Sequence, residues 1–312
     1  VDAVVDVSGF SYSDSWGVGG FKYAWPWLEY CKMKKKPYVF LPQAWGPFEN
    51  ADVAHWMKKI CSTNPMMVSR DGESSKYLAK LQGVPLDTVR QSPDIVFRFS
   101  GDPPTVGRSI LKQLGLGVDR PVIGLVPNMR VYERTPGTGA GNKYVKLLSI
   151  IADYCISNLK TDVVLIPNEI KLANTYGPDD RFLCSIILTQ VQNTKHCRVL
   201  SGNYSAETIK SILTQFDLLI ASRFHSLVFA LEQGVPTLAL GWSHKYQELL
   251  KLFDLENYVV DYDKLDSDAI IELVEDAWQK REMNCKKIKE KIPQIQLSVD
   301  TLFNDITSYI ES

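Results

Sequence analysis

Short runs rich in β-branched and other apolar residues alternate with helical patterns along this chain, and that alternation constrains the fold more than any other feature. The runs are "DAVVDVS" (2–8), "PYVFLPQ" (37–43), "MMVSR" (66–70), "PVIGLVPN" (121–128), "DVVLIPN" (162–168), "CRVL" (197–200), "DLLIAS" (217–222) and "PTLALGW" (236–242). Between them, apolar residues recur at helical spacing over 51–62, 72–82, 143–159, 179–193, 205–215, 226–233 and 245–253. Strands that are apolar nearly throughout are buried on both faces, so the pattern predicts parallel sheets covered by helices on each side, an α/β fold. At 312 residues the chain exceeds what one core commonly serves, and two such domains are expected. The stretch "RFSGDPPTVGRSILKQLGLGVDRP" (98–121) is rich in Gly and Pro and reads as the link. That places the first domain at 1–110 and the second at 120–295, with a C-terminal helix over 296–312 packing back on the first. The chain opens on Val1 in what already looks like a core strand, so the first domain is expected to lack its first elements.

Composition excludes several classes. A net charge of −1 gives no overall steering toward nucleic acid or an acidic surface. No apolar run reaches the roughly 20 residues of a membrane span. The six cysteines are widely spaced, without a CxxC pair or a Cys/His cluster, and read as buried thiols rather than as a disulfide framework or a metal site. "NYS" at Asn203 matches a glycosylation sequon too short to carry weight. No signal peptide is visible. The basic runs "CKMKKK" (31–36) and "KREMNCKKIKEKI" (280–292) read as solvated faces, with peripheral contact to a membrane as the alternative.

In open α/β sheets ligands bind outside the carboxyl ends of the strands. Applied to the second half, that rule selects Asn128 and Arg130, then Asn168 and Glu169, then Ser201, Gly202 and Asn203. It goes on to Ser222, Arg223 and His225, and last to Trp242, Ser243, His244 and Lys245. Ser226 would open a helix, whose N–H groups favour an anion. A lone arginine or histidine at a strand end is ordinarily a packing residue. Several basic groups at neighbouring strand ends instead describe a pocket for a small, strongly anionic ligand.

The stretch "DLLIASRFHSLVFALEQGVPTLALGWSHKYQELL" resembles the C-terminal motif of the polysaccharide pyruvyl transferase family: Asp, three apolar residues, S-R-x-H, an apolar helix, G-V-P, an apolar strand and a lysine soon after. "VSRDGESSKYLAKLQG" (68–83) and "SPDIVF" (92–97) are similar to the family's R-D-x-x-S helix and its P-D element, and "LPQAWGPF" (41–48) to its glutamine- and glycine-containing strand end. The family's opening Asn/Gly/Asp loop is not visible, and "SGFSYSDSWG" (8–17) stands where a Gly-rich turn is usual. The resemblance implies two Rossmann-like domains facing across a cleft, a glycosyltransferase-B-like architecture. It also implies transfer of the enolpyruvyl group of phosphoenolpyruvate to a sugar, forming a ketal, at a cytoplasmic site.

In that chemistry a proton goes to the methylene carbon, C2 gains oxocarbenium character, a sugar hydroxyl attacks, phosphate leaves and a second hydroxyl closes the ring. His225 is the expected general acid, with phosphate contact as a second possible role. Arg223 and Arg130 would grip the carboxylate and phosphate, and Lys245 would add a point charge. Asn128, Ser222 and Ser226 complete the donor side. Arg70, Asp71 and Asp94 match motif positions of the first half, Asp94 with capping as its alternative role. Gln43, Trp45 and Tyr12 are acceptor-side candidates. Neither a metal nor a cofactor is expected; the partners are phosphoenolpyruvate and a saccharide, either free or lipid-linked. Two other readings remain open: a nucleotide-sugar glycosyltransferase, for which Glu169 and Glu248 offer groups for a ribose, and a non-catalytic sugar-binding relative.

Overall fold

The computed structural model describes residues 1–81, 89–171, 179–241, 243–261 and 266–311. The chain divides into two compact units, Val1–Phe99 with Pro293–Ser312, and Ser100–Ile292.

The first unit runs β1 (Val4–Asp6), α1 (Gly19–Lys34), β2 (Tyr38–Gln43), α2 (Ala51–Cys61), β3 (Met66–Ser69), α3 (Gly72–Lys80) and β4 (Val89–Gln91). The strands form one parallel sheet in the order β1-β2-β3-β4. β2 and β3 are buried at every position, as their unbroken apolar runs require. One side of the sheet is an aromatic-rich core in which Tyr12, Phe21, Phe40 and Trp45 pack with Leu28, Met57 and Leu78. The other side sets Val39, Leu41, Met66 and Val68 against Leu302 and Ile306 of the C-terminal helix. Asn50 and Asp71 begin α2 and α3 by accepting hydrogen bonds from backbone N–H groups of the first turn.

The second unit continues with α4 (Pro104–Gln113), β5 (Val122–Val126), α5 (Met129–Arg134), α6 (Lys143–Ser157), β6 (Asp162–Leu165), α7 (Asp180–Gln190) and β7 (Cys197–Val199). Then come α8 (Ala206–Leu213), β8 (Leu218–Ala221), α9 (Phe224–Glu232), β9 (Thr237–Gly241), α10 (His244–Lys251), β10 (Val259–Asp261) and α11 (Ser267–Gln279); α12 (Arg281–Glu311) ends the chain. The six parallel strands lie in the order β10-β9-β8-β5-β6-β7. The sheet therefore reverses direction between β5 and β8, the switch point where loops diverge and leave a crevice.

The predicted strands and helices occur close to their expected bounds. The link read into 98–121 does not. Pro104 and its neighbours start α4, which belongs to the second unit and packs on α8. A β-carbon at Gly107 would lie 2.2 Å from the Ser211 carbonyl oxygen, so only glycine lets the two backbones approach this closely. Ser211 holds the contact from both sides, accepting from the Gly107 N–H at 2.9 Å and donating to the Pro103 carbonyl at 2.7 Å. The boundary thus falls at Phe99/Ser100 rather than at 110–120. The helix expected over 296–312 is the last part of a 31-residue helix with Pro293 inside it. The strands β4 and β10, three residues each, and the helices α1, α5 and α11 have no counterpart in the expected pattern.

Candidate functional site

At the switch point the ends of β5 and β8 are tied together by Asn128. Its Oδ1 accepts from the Arg130 N–H at 2.8 Å, starting α5, and its Nδ2 donates to the Ser222 carbonyl at 2.8 Å. Ser222 is 1% exposed, and its hydroxyl accepts from the Tyr144 hydroxyl at 2.6 Å while its carbonyl also accepts from the Tyr246 hydroxyl at 2.8 Å. Ser226, fully buried in the first turn of α9, donates to Asn168 Oδ1 at 2.6 Å and so brings in the end of β6. Asn128, Ser222 and Ser226 were expected to contact ligand. Their side chains are buried and hold the strand-end loops in place through these hydrogen bonds.

Arg223 is held by two carboxylates. Its Nε and Nη2 donate to the two oxygens of Asp180 at 2.8 and 2.6 Å, and its Nη1 to Glu169 at 2.8 Å. Asp180 is completely buried and also accepts the N–H groups of Met129, Asn168 and Glu169, at 3.0, 3.2 and 2.8 Å. Lys171 reaches Glu169 at 3.0 Å. Burial would lower the affinity of the Arg223 guanidinium for its proton, but the hydrogen bonds and charges of Asp180 and Glu169 outweigh this and raise it. Burial likewise pushes the Glu169 carboxyl up, and the hydrogen bonds and charges of Lys171 and Arg223 reverse this and hold it below the usual range. Two cations and two anions make the cluster neutral. Arg223, the residue just before α9, therefore fixes the start of the helix that carries His225.

His225 stands apart from its neighbours. Phe224 and Ser226 are buried and His225 is exposed, on the first turn of α9. Its ring meets Phe224 edge to face, with centroids 5.7 Å apart. Lys245, in the first turn of α10, places Nζ 5.2 Å from the centre of the same Phe224 ring. His225 and Lys245 are thus joined through one aromatic side chain. Arg130 is half-exposed and meets Glu133 one turn on, at 3.6 Å. A cavity of about 450 Å³ opens at the ends of β9 and β10, lined by Gly241, Ser243, His244, Gln247 and 259–261. Trp242 lies outside the described residues.

The first unit has its own strand-end cluster. Asp6, the last residue of β1, accepts from the Ser8 N–H at 2.9 Å and hydroxyl at 2.6 Å, from the Tyr38 hydroxyl at 3.3 Å, from Gln43 Nε2 at 3.4 Å, and from the Tyr12 hydroxyl. Burial, reinforced by the Asp6 charge, raises the pKa of both tyrosines. Gln43, expected at the acceptor, is fully buried and belongs to this network. Tyr12 and Trp45 are likewise core: Tyr12 is 2% exposed and stacks among Phe21, Phe40 and Trp45, and Trp45 donates its indole N–H to the Val68 carbonyl at 3.0 Å. Arg70 pairs with Asp94 at 2.8 Å, and Asp94 also accepts the Val96 N–H, which gives it the capping role. Asp71 caps α3 through Oδ1, 2.6 Å from the Ser74 N–H. Its Oδ2, although buried, accepts no hydrogen bond among the described residues.

Asp6, Tyr144, Asp180 and Tyr246 were missed by sequence reasoning. Asp180 stands in "PDDR" at a helix start, where an acidic residue reads as a cap. Only the folded sheet brings it beneath Arg223.

A four-stranded and a six-stranded parallel sheet, each with its polar groups at the carboxyl ends, make a glycosyltransferase-B-like fold. Solved structures share it at low identity. HepE of Anabaena, solved with UDP, aligns with a TM-score of 0.61 at 12% identity over 93% of this chain and 76% of that one. The UDP-GlcNAc 2-epimerase of Neisseria meningitidis, bound to UDP-GlcNAc, aligns with a TM-score of 0.57 at 12% identity over 90% and 72%. The polysaccharide pyruvyl transferase family matches residues 2–244, and the chain belongs to it. The amylovoran biosynthesis protein AmsJ of Erwinia amylovora is 21% identical over 311 residues, which cover 98% of this chain and 72% of AmsJ. The protein is accordingly a polysaccharide-modifying transferase.

Proposed function

We propose that this protein transfers the enolpyruvyl group of phosphoenolpyruvate to a saccharide and closes it as a pyruvate ketal. The observation that carries the reading is the exposure of His225 at the switch point, on a loop fixed by the Arg223–Asp180 pair and beside Lys245. His225 protonates the methylene carbon, and C2 then accepts one saccharide hydroxyl. The C2–O bond to phosphate breaks, and a second hydroxyl closes the ring, so that one phosphoenolpyruvate and two hydroxyl groups give one ketal and inorganic phosphate. Lys245 and Arg130 attract the phosphate and carboxylate, while Arg223 positions the His225 loop.

Incubation with phosphoenolpyruvate and a panel of hexosides tests the reading: a ketal product by mass spectrometry with equimolar phosphate release is expected. A nucleotide-sugar glycosyltransferase is the second reading, favoured by the cavity at the ends of β9 and β10 and by the nucleotides bound in structural neighbours. Binding of UDP with no response to phosphoenolpyruvate in a calorimetric titration would replace the first reading with the second.

A further inference from the structure

Helix α1 buries Phe21, Ala24, Leu28 and Cys31 in the core of the first unit, and yet its outer side is also apolar. Tyr23 is 79% exposed, Trp27 50%, Tyr30 36% and Met33 73%. These positions follow a spacing of four, three and three, which makes one stripe along the helix. Lys22, Lys32, Lys34 and Lys35 are exposed around it, and Glu29 is the one acidic residue of the helix. No helix among the described residues is long and apolar enough to cross a membrane, so the stripe does not belong to a span.

We infer that α1 docks the first unit on an anionic lipid surface, lying in the plane of the headgroups. Trp and Tyr have an apolar body and a polar edge and settle at the boundary between headgroups and acyl chains. Lysines around such a stripe meet the negative charge of acidic lipids. The charge selects this occupant over a second copy of the chain, because a self-complementary contact through α1 would set each lysine cluster near the other. The other basic run is unlike this one: in α12, Lys291 pairs with Asp254 at 2.6 Å and Lys287 donates to the Asp254 carbonyl at 3.2 Å, and Met283 is the large apolar residue exposed beside them. The inference holds whether or not the transfer reaction proposed above is correct.

Co-sedimentation with vesicles tests it, using pure phosphatidylcholine and phosphatidylcholine with about one third phosphatidylglycerol. The protein should sediment with the second and not the first, and added salt should release it. Trp27→Ser with Tyr30→Ser should weaken binding by about tenfold or more, at an unchanged Tm because both residues are exposed. Lys32→Gln, Lys34→Gln and Lys35→Gln together should weaken binding and flatten its salt dependence. A protein that stays in the supernatant with anionic vesicles overturns the inference, as does equal binding by the Trp27/Tyr30 variant. A dimer in light scattering that Trp27→Ser dissociates would assign the face to a second copy and overturn it as well.

Discussion

Both sheets gather polar groups at the carboxyl ends of parallel strands, but around opposite charges. In the four-stranded sheet the hub is a carboxylate: Asp6 collects hydroxyl, amide and backbone donors. In the six-stranded sheet the hub is a guanidinium: Arg223 is held by Asp180 and Glu169. The four strands follow one another in chain order, so neighbouring loops lie side by side and bond to each other. The six-stranded sheet reverses between β5 and β8, where the loops part. The difference teaches that a partly buried ionic hub can be scaffold in either setting. In the second sheet the hub holds the start of α9, where His225 is exposed.

The sharpest way to break this comparison is to strand the guanidinium. Asp180→Ala leaves Arg223 buried without its bidentate partner and should cost about 3–5 kcal/mol in denaturant unfolding. Arg223→Lys should also act mainly on stability, because an ammonium cannot reproduce the two parallel bonds. Unchanged stability with lost phosphoenolpyruvate binding would return Arg223 to the ligand. His225→Ala and His225→Gln should lower kcat by about 10²-fold and leave the unfolding midpoint in place, since the side chain is exposed and glutamine cannot deliver the proton. A lowered Tm with normal turnover in the folded fraction would move the acid elsewhere.

Ser226→Ala removes the donor to Asn168, whose side chain is open to water, and should cost only about 0.5–1.5 kcal/mol, with any loss of turnover following from the displaced loop. The smallest effect is pH-dependent. The Glu169 carboxyl is held below its ordinary value of 4.5 in the folded state, so its contribution is present above that pH and disappears as pH falls through the lowered value. The stability gap between the wild type and Glu169→Gln should therefore be constant near neutrality and narrow below about pH 4.5. A gap that instead widens in acid would show the pairing with Arg223 and Lys171 to be weaker than the burial it offsets.

The apolar runs were enough to predict the strands at the centre of each sheet, because a strand buried on both faces has no choice of residue type. The short edge strands β4 and β10 were silent, because three residues with an exposed side carry no period. Helix α1 was hidden by its glycines, by Pro26 and by an outer face as apolar as its inner one. The strand-end rule and the S-R-x-H motif singled out the segment from Ser222 to Ser226, His225 included. They could not tell His225, which faces solvent, from Ser222, Arg223 and Ser226, which serve the scaffold. That distinction depends on Asp180, Tyr144 and Asn168, which are 43, 78 and 58 residues distant along the chain. A side chain's partners are chosen by where the sheet order and crossovers carry distant segments. Local sequence fixes which residues reach a strand end, and tertiary structure alone decides which of them remain turned toward a substrate.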